Sequence, residues 1–191
     1  MTKMLYVVDT SMTLFQACGK KEEKTVSGIL RSDFQTVINE TDSIDLWVLK
    51  NAAGVEVAIT NFGGRIVSVM VPDKNGELQD VVLGYDSIGG YLNNKGDFGA
   101  TIGRYANRIN QGRIVLDSDT IQLPQNNFGH CLHGGPEGWQ YKVFKQVRQP
   151  DATTLEMTLV SPDGDMNFPG TVTATVVFTL TEDNAIDIQF K

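Results

Sequence analysis

The sequence predicts an all-β protein built as an antiparallel sandwich. Short runs of β-branched and apolar residues recur from residue 46 onward, parted by clusters of Gly, Asn and Asp. The later runs alternate apolar and polar with period two, the signature of a strand with one covered face. No segment of helical length carries a 3.6-residue period. Many short strands joined by tight turns fit a sandwich better than any layered α/β arrangement.

The elements follow in order. Residues 46–49, 55–59 and 66–71 read as strands, separated by Asn51-Ala52-Ala53-Gly54 and Asn61-Phe62-Gly63-Gly64. Asp73-Lys74-Asn75-Gly76 holds an Asn-Gly pair, which favours a type I′ hairpin into a strand at Val81-Val82-Leu83. Residues 87–92 suit one helical turn. Asp117-Ser118-Asp119 turns residues 113–116 back into 120–123. Leu155, Met157 and Leu159 face one way and Thr154, Glu156 and Thr158 the other; Val172, Ala174 and Val176 oppose Thr171, Thr173 and Thr175. In the last run Ile186, Ile188 and Phe190 oppose Asp187 and Gln189, and the pattern is still intact at Lys191, so the domain is expected to be cut short at its C-terminus.

Residues 1–27 read as a leader and linker, and 28–191 as the β domain. Met4-Leu5-Tyr6-Val7-Val8 and the apolar residues between Met12 and Ala17 precede Cys18-Gly19, which resembles a bacterial lipoprotein signal with a lipid anchor at Cys18. Asp9 interrupts that apolar stretch and Gln16 stands close to the cysteine, which fits a disordered tail on a cytosolic protein instead. Both readings, cell envelope and cytoplasm, stay open here.

Composition excludes several classes of function. The 191 residues carry a net charge of −7, with basic residues scattered apart from Lys20-Lys21, which argues against a nucleic-acid partner. No apolar run approaches the ~20 residues of a membrane-spanning helix. Cys18 and Cys131 are too few and too far apart for a disulfide framework or zinc ribbon. His130-Cys131-Leu132-His133 fails as a metal site, because residues i and i+3 of a strand point to opposite faces and the chain has no further His. The glycine-rich stretches lack the spacing and the Lys of a phosphate-binding loop.

Two polar runs carry the chemistry. Gly103-Arg104-Tyr105-Ala106-Asn107-Arg108-Ile109 and Leu132-His133-Gly134-Gly135 set long polar side chains among glycines, where a core strand would carry Val or Leu. Asn offers a donor and an acceptor, Arg a rigid fork of donors, and His a proton exchangeable near neutral pH. That set suits a neutral ligand with many hydroxyls. Taken alone, these residues read first as solvated strand arginines and a hydrogen-bonded loop His; the linked motifs reverse that for Asn107, Arg108 and His133.

The motifs in order resemble the aldose 1-epimerase (galactose mutarotase) family. Thr60-Asn61-Phe62-Gly63-Gly64, Val81-Val82-Leu83-Gly84-Tyr85-Asp86 and the run from Gly99 to Ile109 carry the likeness, with Asn126-Asn127, Leu132-His133-Gly134-Gly135, Ser161-Pro162-Asp163-Gly164 and Phe168-Pro169-Gly170. The resemblance covers residues 46–191. It implies the family's β supersandwich and a hexose substrate, bound at its hydroxyls by Asn107 and Arg108 and at its anomeric end by His133. Arg104 is left a supporting role and His130 a partly exposed turn.

The reaction implied is interconversion of α and β anomers. A general base takes the proton of the C1 hydroxyl while a general acid protonates the ring oxygen; the C1–C2 bond rotates and the roles reverse. No cofactor or metal is required. The family's acid His and base Glu match no residue of this sequence, which leaves His133 an assisting role, and Glu137 and Asp97 match no catalytic position. Two alternatives follow: a non-catalytic carbohydrate-binding sandwich, and a phosphosugar epimerase, which wants a basic cluster the sequence lacks.

Overall fold

The computed structural model describes residues 23–191. Residues 1–22 of the expected leader, with the proposed anchor at Cys18, lie outside the described residues. The strands are β1 (Thr36–Ile38), β2 (Asp42–Ile44), β3 (Leu46–Lys50), β4 (Glu56–Thr60), β5 (Arg65–Pro72) and β6 (Leu78–Asp80). After a short α-helix, α1 (Ile88–Asn93), come β7 (Arg108–Ile109), β8 (Arg113–Leu116), β9 (Asp119–Gln122) and β10 (Cys131–Leu132). The last four are β11 (Gln146–Arg148), β12 (Thr154–Ser161), β13 (Val172–Leu180) and β14 (Ile186–Phe190).

Two four-stranded antiparallel sheets, β3-β4-β5-β6 and β11-β12-β13-β14, pack face to face. Leu49, Val57, Ile59 and Val69 of the first meet Leu155, Met157, Val176 and Phe178 of the second. The alternation read from β12 is the one observed: Leu155, Met157 and Leu159 are buried while Thr154, Glu156 and Thr158 are half-covered. It does not carry through to burial elsewhere in the sheet: Val172 begins β13 exposed, and on the edge strand β14 Ile188 and Phe190 are 43% and 65% exposed. Burying one such side chain contributes roughly 1.5–3 kcal/mol.

The first sheet is different. Phe34, Ile44, Phe62, Ile88 and Tyr91 cover its second face, against Leu46, Ala58 and Val67 of the sheet, so all five residues of β4 are buried. A strand covered on both faces loses its alternation and reads as a continuous apolar run. Glu56 is the charged member of that run, and its carboxylate accepts the Val26 backbone N–H at 2.6 Å. Thr25 is buried and bridges to Ile29, so this segment is tied to the sheet through the Val26 N–H and folded onto Ile29 through Thr25.

Two local expectations are corrected. The strand after the first hairpin is Leu78–Asp80, and Val81 and Leu83 lie beyond it with 64% and 75% of their surface exposed. Val81 N–H still donates to Val69 C=O at 3.1 Å, but the Asp80 carboxylate takes the Val69 N–H that would return the bond, and the Val82 N–H as well, so the ladder goes no further. The turn before it is not type I′. Only Gly76 has positive φ (84°), and the loop closes through Gly76 N–H to Asp73 C=O and Asp73 N–H to Glu77 C=O. Asn75 need not enter the left-handed region, since the Asp73 carboxylate caps its N–H at 2.8 Å.

The polar runs sit outside the sandwich, on a smaller layer. β7 pairs with β10 in the register Ile109↔Cys131 and Arg108↔Leu132, and β8 pairs with β9 through a two-residue loop. Ile109, Leu123, Cys131 and Phe168 form its own small core. Burial raises the Cys131 thiol's pKa. Among the described residues no helix is long and apolar enough to cross a membrane.

Candidate carbohydrate site

The β7–β10 ladder is continued by one more pair, and that pair builds the site. His133 N–H donates to Asn107 C=O at 3.1 Å, and Asn107 N–H donates to the His133 ring at Nδ1 at 3.0 Å. Both residues have left-handed backbone, φ 64° at Asn107 and 52° at His133. Asn tolerates this conformation because its side chain bonds locally. Here Asn107 Oδ1 accepts the Arg108 N–H at 2.9 Å.

This bend answers a problem of strand geometry. Neighbouring residues of a regular strand point to opposite faces, yet Asn107 and Arg108 stand together with His133. Gly103, in the same run, makes room for packing, because the Trp139 ring lies where a side chain at Gly103 would be. Gly134 packs against the Gly103 carbonyl as closely, with φ 80°.

Because Nδ1 accepts a backbone N–H, the proton of the neutral His133 ring is on Nε2. That N–H faces a polar cleft of about 320 Å³ lined by Lys95, Asp97, Asn126, Asn127, Gln140 and Tyr141 as well as His133 itself. Arg108 stands at its rim, where Nε donates to Asn127 Oδ1 at 2.9 Å and Nη1 reaches Asn107 Oδ1 at 3.4 Å. Asn126 holds the rim by pairing with Leu132 like a strand residue, its Oδ1 accepting and its Nδ2 donating.

The opposite wall is assembled by Arg65. This guanidinium is 1% exposed and donates to the carbonyls of Phe62, Gly96, Phe98 and Gln140. It also lies 4.8 Å from the centre of the Tyr91 ring. Burial pushes its pKa down, and the charges of Tyr91 and Asp97 oppose that shift. Arg65 thereby ties the segment around Asp97 to the segment that presents Tyr141. The Tyr141 hydroxyl donates to Asp97 Oδ1 at 3.3 Å. Burial raises the phenol's pKa, and the adjacent Asp97 carboxylate raises it further.

The structure brings Asn107, Arg108 and His133 together. It places Arg104 elsewhere: its guanidinium donates to Ser161 Oγ and to the carbonyls of Ser161, Pro162 and Pro169. Arg104 therefore pins the loop after β12. His130 is a half-buried turn residue whose Nδ1 accepts the Gln111 N–H at 3.0 Å. Sequence reasoning does not single out Asp97, Asn127 or Tyr141 as site residues. Asp97 and Tyr141 are 44 positions apart, and only the buried Arg65 between them signals that they meet.

A family model described as aldose 1-epimerase matches residues 45–191. The chain belongs to the aldose 1-epimerase family. An aldose 1-epimerase of Escherichia coli K12 is 36% identical over 162 residues, which is 81% of this chain and 46% of that protein. A galactose mutarotase of Bos taurus is 40% identical over 126 residues, 66% of this chain and 36% of that protein. The solved GalM/aldose epimerase homologue from C. elegans superposes with a TM-score of 0.72 at 30% identity, covering 76% of this chain and 44% of that one. The chain spans less than half the length of these relatives.

Proposed function

We propose that this chain is the hydroxyl-binding part of a mutarotase that interconverts the α and β anomers of a hexose such as galactose or glucose. The observation that carries the reading is the His133 clamp within the family's motif. A ring fixed as the Nε2–H tautomer donates a hydrogen bond into a polar cleft, and such a donor stabilises charge developing on a sugar oxygen. Asn107 and Arg108 supply hydroxyl contacts beside it.

The same geometry limits what His133 does. With Nδ1 engaged by Asn107 and Nε2 carrying the proton, the ring has no free lone pair with which to act as a base. Ring opening needs an acid at one oxygen and a base at the other, and His133 fills one of these roles at most. The family's acid and base match no residue of this sequence. The 191-residue chain therefore binds a hexose and turns it over little or not at all.

Polarimetry on freshly dissolved α-D-galactose and α-D-glucose tests the reading, paired with a hexose titration of the isotope-labelled chain by NMR. The expected result is a mutarotation rate at the buffer blank together with millimolar-range shifts confined to the cleft. A rate well above the blank that His133→Ala abolishes overturns the inactivity. Absence of any hexose-dependent shift overturns the carbohydrate site.

A further inference from the structure

We infer that Asp97 is a specificity-determining residue of this cleft, accepting the hydrogen of a single hexose hydroxyl whose oxygen is held by His133. The inference rests on the carbohydrate reading above and adds a residue that the family likeness did not assign. Asp97 Oδ2 lies 3.9 Å from His133 Nε2, too far for a direct hydrogen bond. An oxygen about 2.8 Å from each fits off the line joining them, toward the open cleft. That gap admits one oxygen.

The two flanking groups are complementary. The Nε2–H of His133 can only donate, since Asn107 has engaged the other nitrogen. The Asp97 carboxylate can only accept. A hydroxyl does both at once, accepting from His133 and donating to Asp97, whereas an ether or ring oxygen has no hydrogen for Asp97. The pair therefore discriminates a hydroxyl from a deoxy or alkylated position.

Asp97 is also held for this purpose. Arg65 Nη1 takes the carbonyls of Gly96 and Phe98, one on each side of Asp97, at 3.0 Å. Ile66 N–H donates to Gly99 C=O at 3.0 Å, and Gly99 (φ 65°) lies so close to Ile66 that a side chain there would meet the Ile66 carbonyl. Tyr141 occupies Oδ1, which leaves Oδ2 for the cleft. The side chains of Asp97 and His133 are 37% and 28% exposed, so both meet solvent until a ligand arrives.

The test is a matrix of hexose binding by NMR titration. D-galactose, D-glucose and their monodeoxy derivatives are titrated into the wild-type chain, Asp97→Ala and Asp97→Asn. Asp97→Ala is expected to weaken the parent sugar about ten-fold, the scale of a charge-assisted hydrogen bond. It is also expected to erase the penalty for removing one particular hydroxyl, while the penalties at other positions persist. If every deoxy sugar loses the same factor in Asp97→Ala as in the wild type, the assignment is overturned.

A second readout needs no sugar. With the tyrosines labelled and Tyr141→Phe used to identify the resonance, Asp97→Asn lowers the midpoint of Tyr141 ionisation toward the ordinary value. An unmoved midpoint overturns the placement of Asp97 while leaving the carbohydrate reading intact. If the wild type binds none of the hexoses, the carbohydrate reading fails and Asp97's role fails with it.

Discussion

His133 and His130 are three residues apart and are clamped in the same way. Each accepts a backbone N–H on Nδ1 at 3.0 Å, from Asn107 and from Gln111, and each is thereby fixed with its proton on Nε2. Their surroundings differ. His133 looks into a polar cleft with a carboxylate 3.9 Å away, while no carboxylate lies within ion-pair distance of His130 among the described residues. A fixed tautomer is therefore a local product of loop geometry that any His in such a turn acquires. What sets His133 apart is the wall opposite, and Arg65 assembles that wall.

The largest effect expected is the collapse of this distinction. Arg65→Met keeps much of the side chain's length but leaves the carbonyls of Phe62, Gly96, Phe98 and Gln140 without their donor. Buried acceptors left unpaired, around a group this fully enclosed, cost roughly 3–5 kcal/mol in all. Urea denaturation checks the loss. The variant's hexose affinity should fall with it even where the protein is still folded, because Asp97 and Tyr141 lose their common anchor. A stable variant with unchanged affinity would show that the wall holds itself.

Arg104 offers the converse case, with an effect on stability and none on the ligand. Its four acceptors all belong to the loop of residues 161–169. Arg104→Ala should destabilise the chain by about 2 kcal/mol through those lost bonds, with hexose affinity changed less than two-fold. Arg108, four residues later on the same run, should behave oppositely, since among the described residues its guanidinium bonds only to Asn107 and Asn127 at the rim.

These contrasts show what the sequence discloses. Leu155, Met157 and Leu159 announce the second sheet because one face is buried and the other is not. The doubly covered β4 gives no alternation, and its partner face is visible only once Phe34 and Tyr91 are seen to lie on it. Val81-Val82-Leu83 reads as a strand by composition, yet after one bond from Val81 N–H to Val69 C=O the Asp80 carboxylate captures the N–H of Val69 and of Val82. The His133 side of the cleft is legible because one motif carries Asn107 and Arg108 together and a second carries His133. The Asp97 side is not, since Arg65 is 32 positions from Asp97 and shows no polar periodicity of its own.

The two histidines can then be separated directly. His133→Ala should weaken hexose binding at least ten-fold, about 1.4 kcal/mol, by removing the donor that faces the cleft. His130→Ala should change it less than two-fold, though it frees the Gln111 N–H in an exposed turn. NMR titration of both variants against one sugar checks the pair. Equal losses would mean that the turn, and not the cleft, carries the His133 effect.

The smallest effect concerns a carboxylate behind the site. Asp165 is bonded to Lys142, the residue after Tyr141, and to Ser161, which Arg104 also holds. Burial alone would raise its pKa, but the bonds to Lys142 and Ser161 outweigh burial and hold it below the ordinary carboxylate value. A carboxyl whose folded-state pKa is depressed stabilises the protein above its unfolded pKa, near 4, and loses that contribution as pH falls through the folded value. Asp165→Asn should therefore have a lower Tm than the wild type at pH 7, and the gap should close as pH drops from about 4 toward 2. His133 and the cleft take no part in this, so hexose affinity at pH 7 should be preserved. A Tm gap that persists unchanged at low pH would mean that Asp165 supports the loop by shape, as an acceptor that its neutral form replaces.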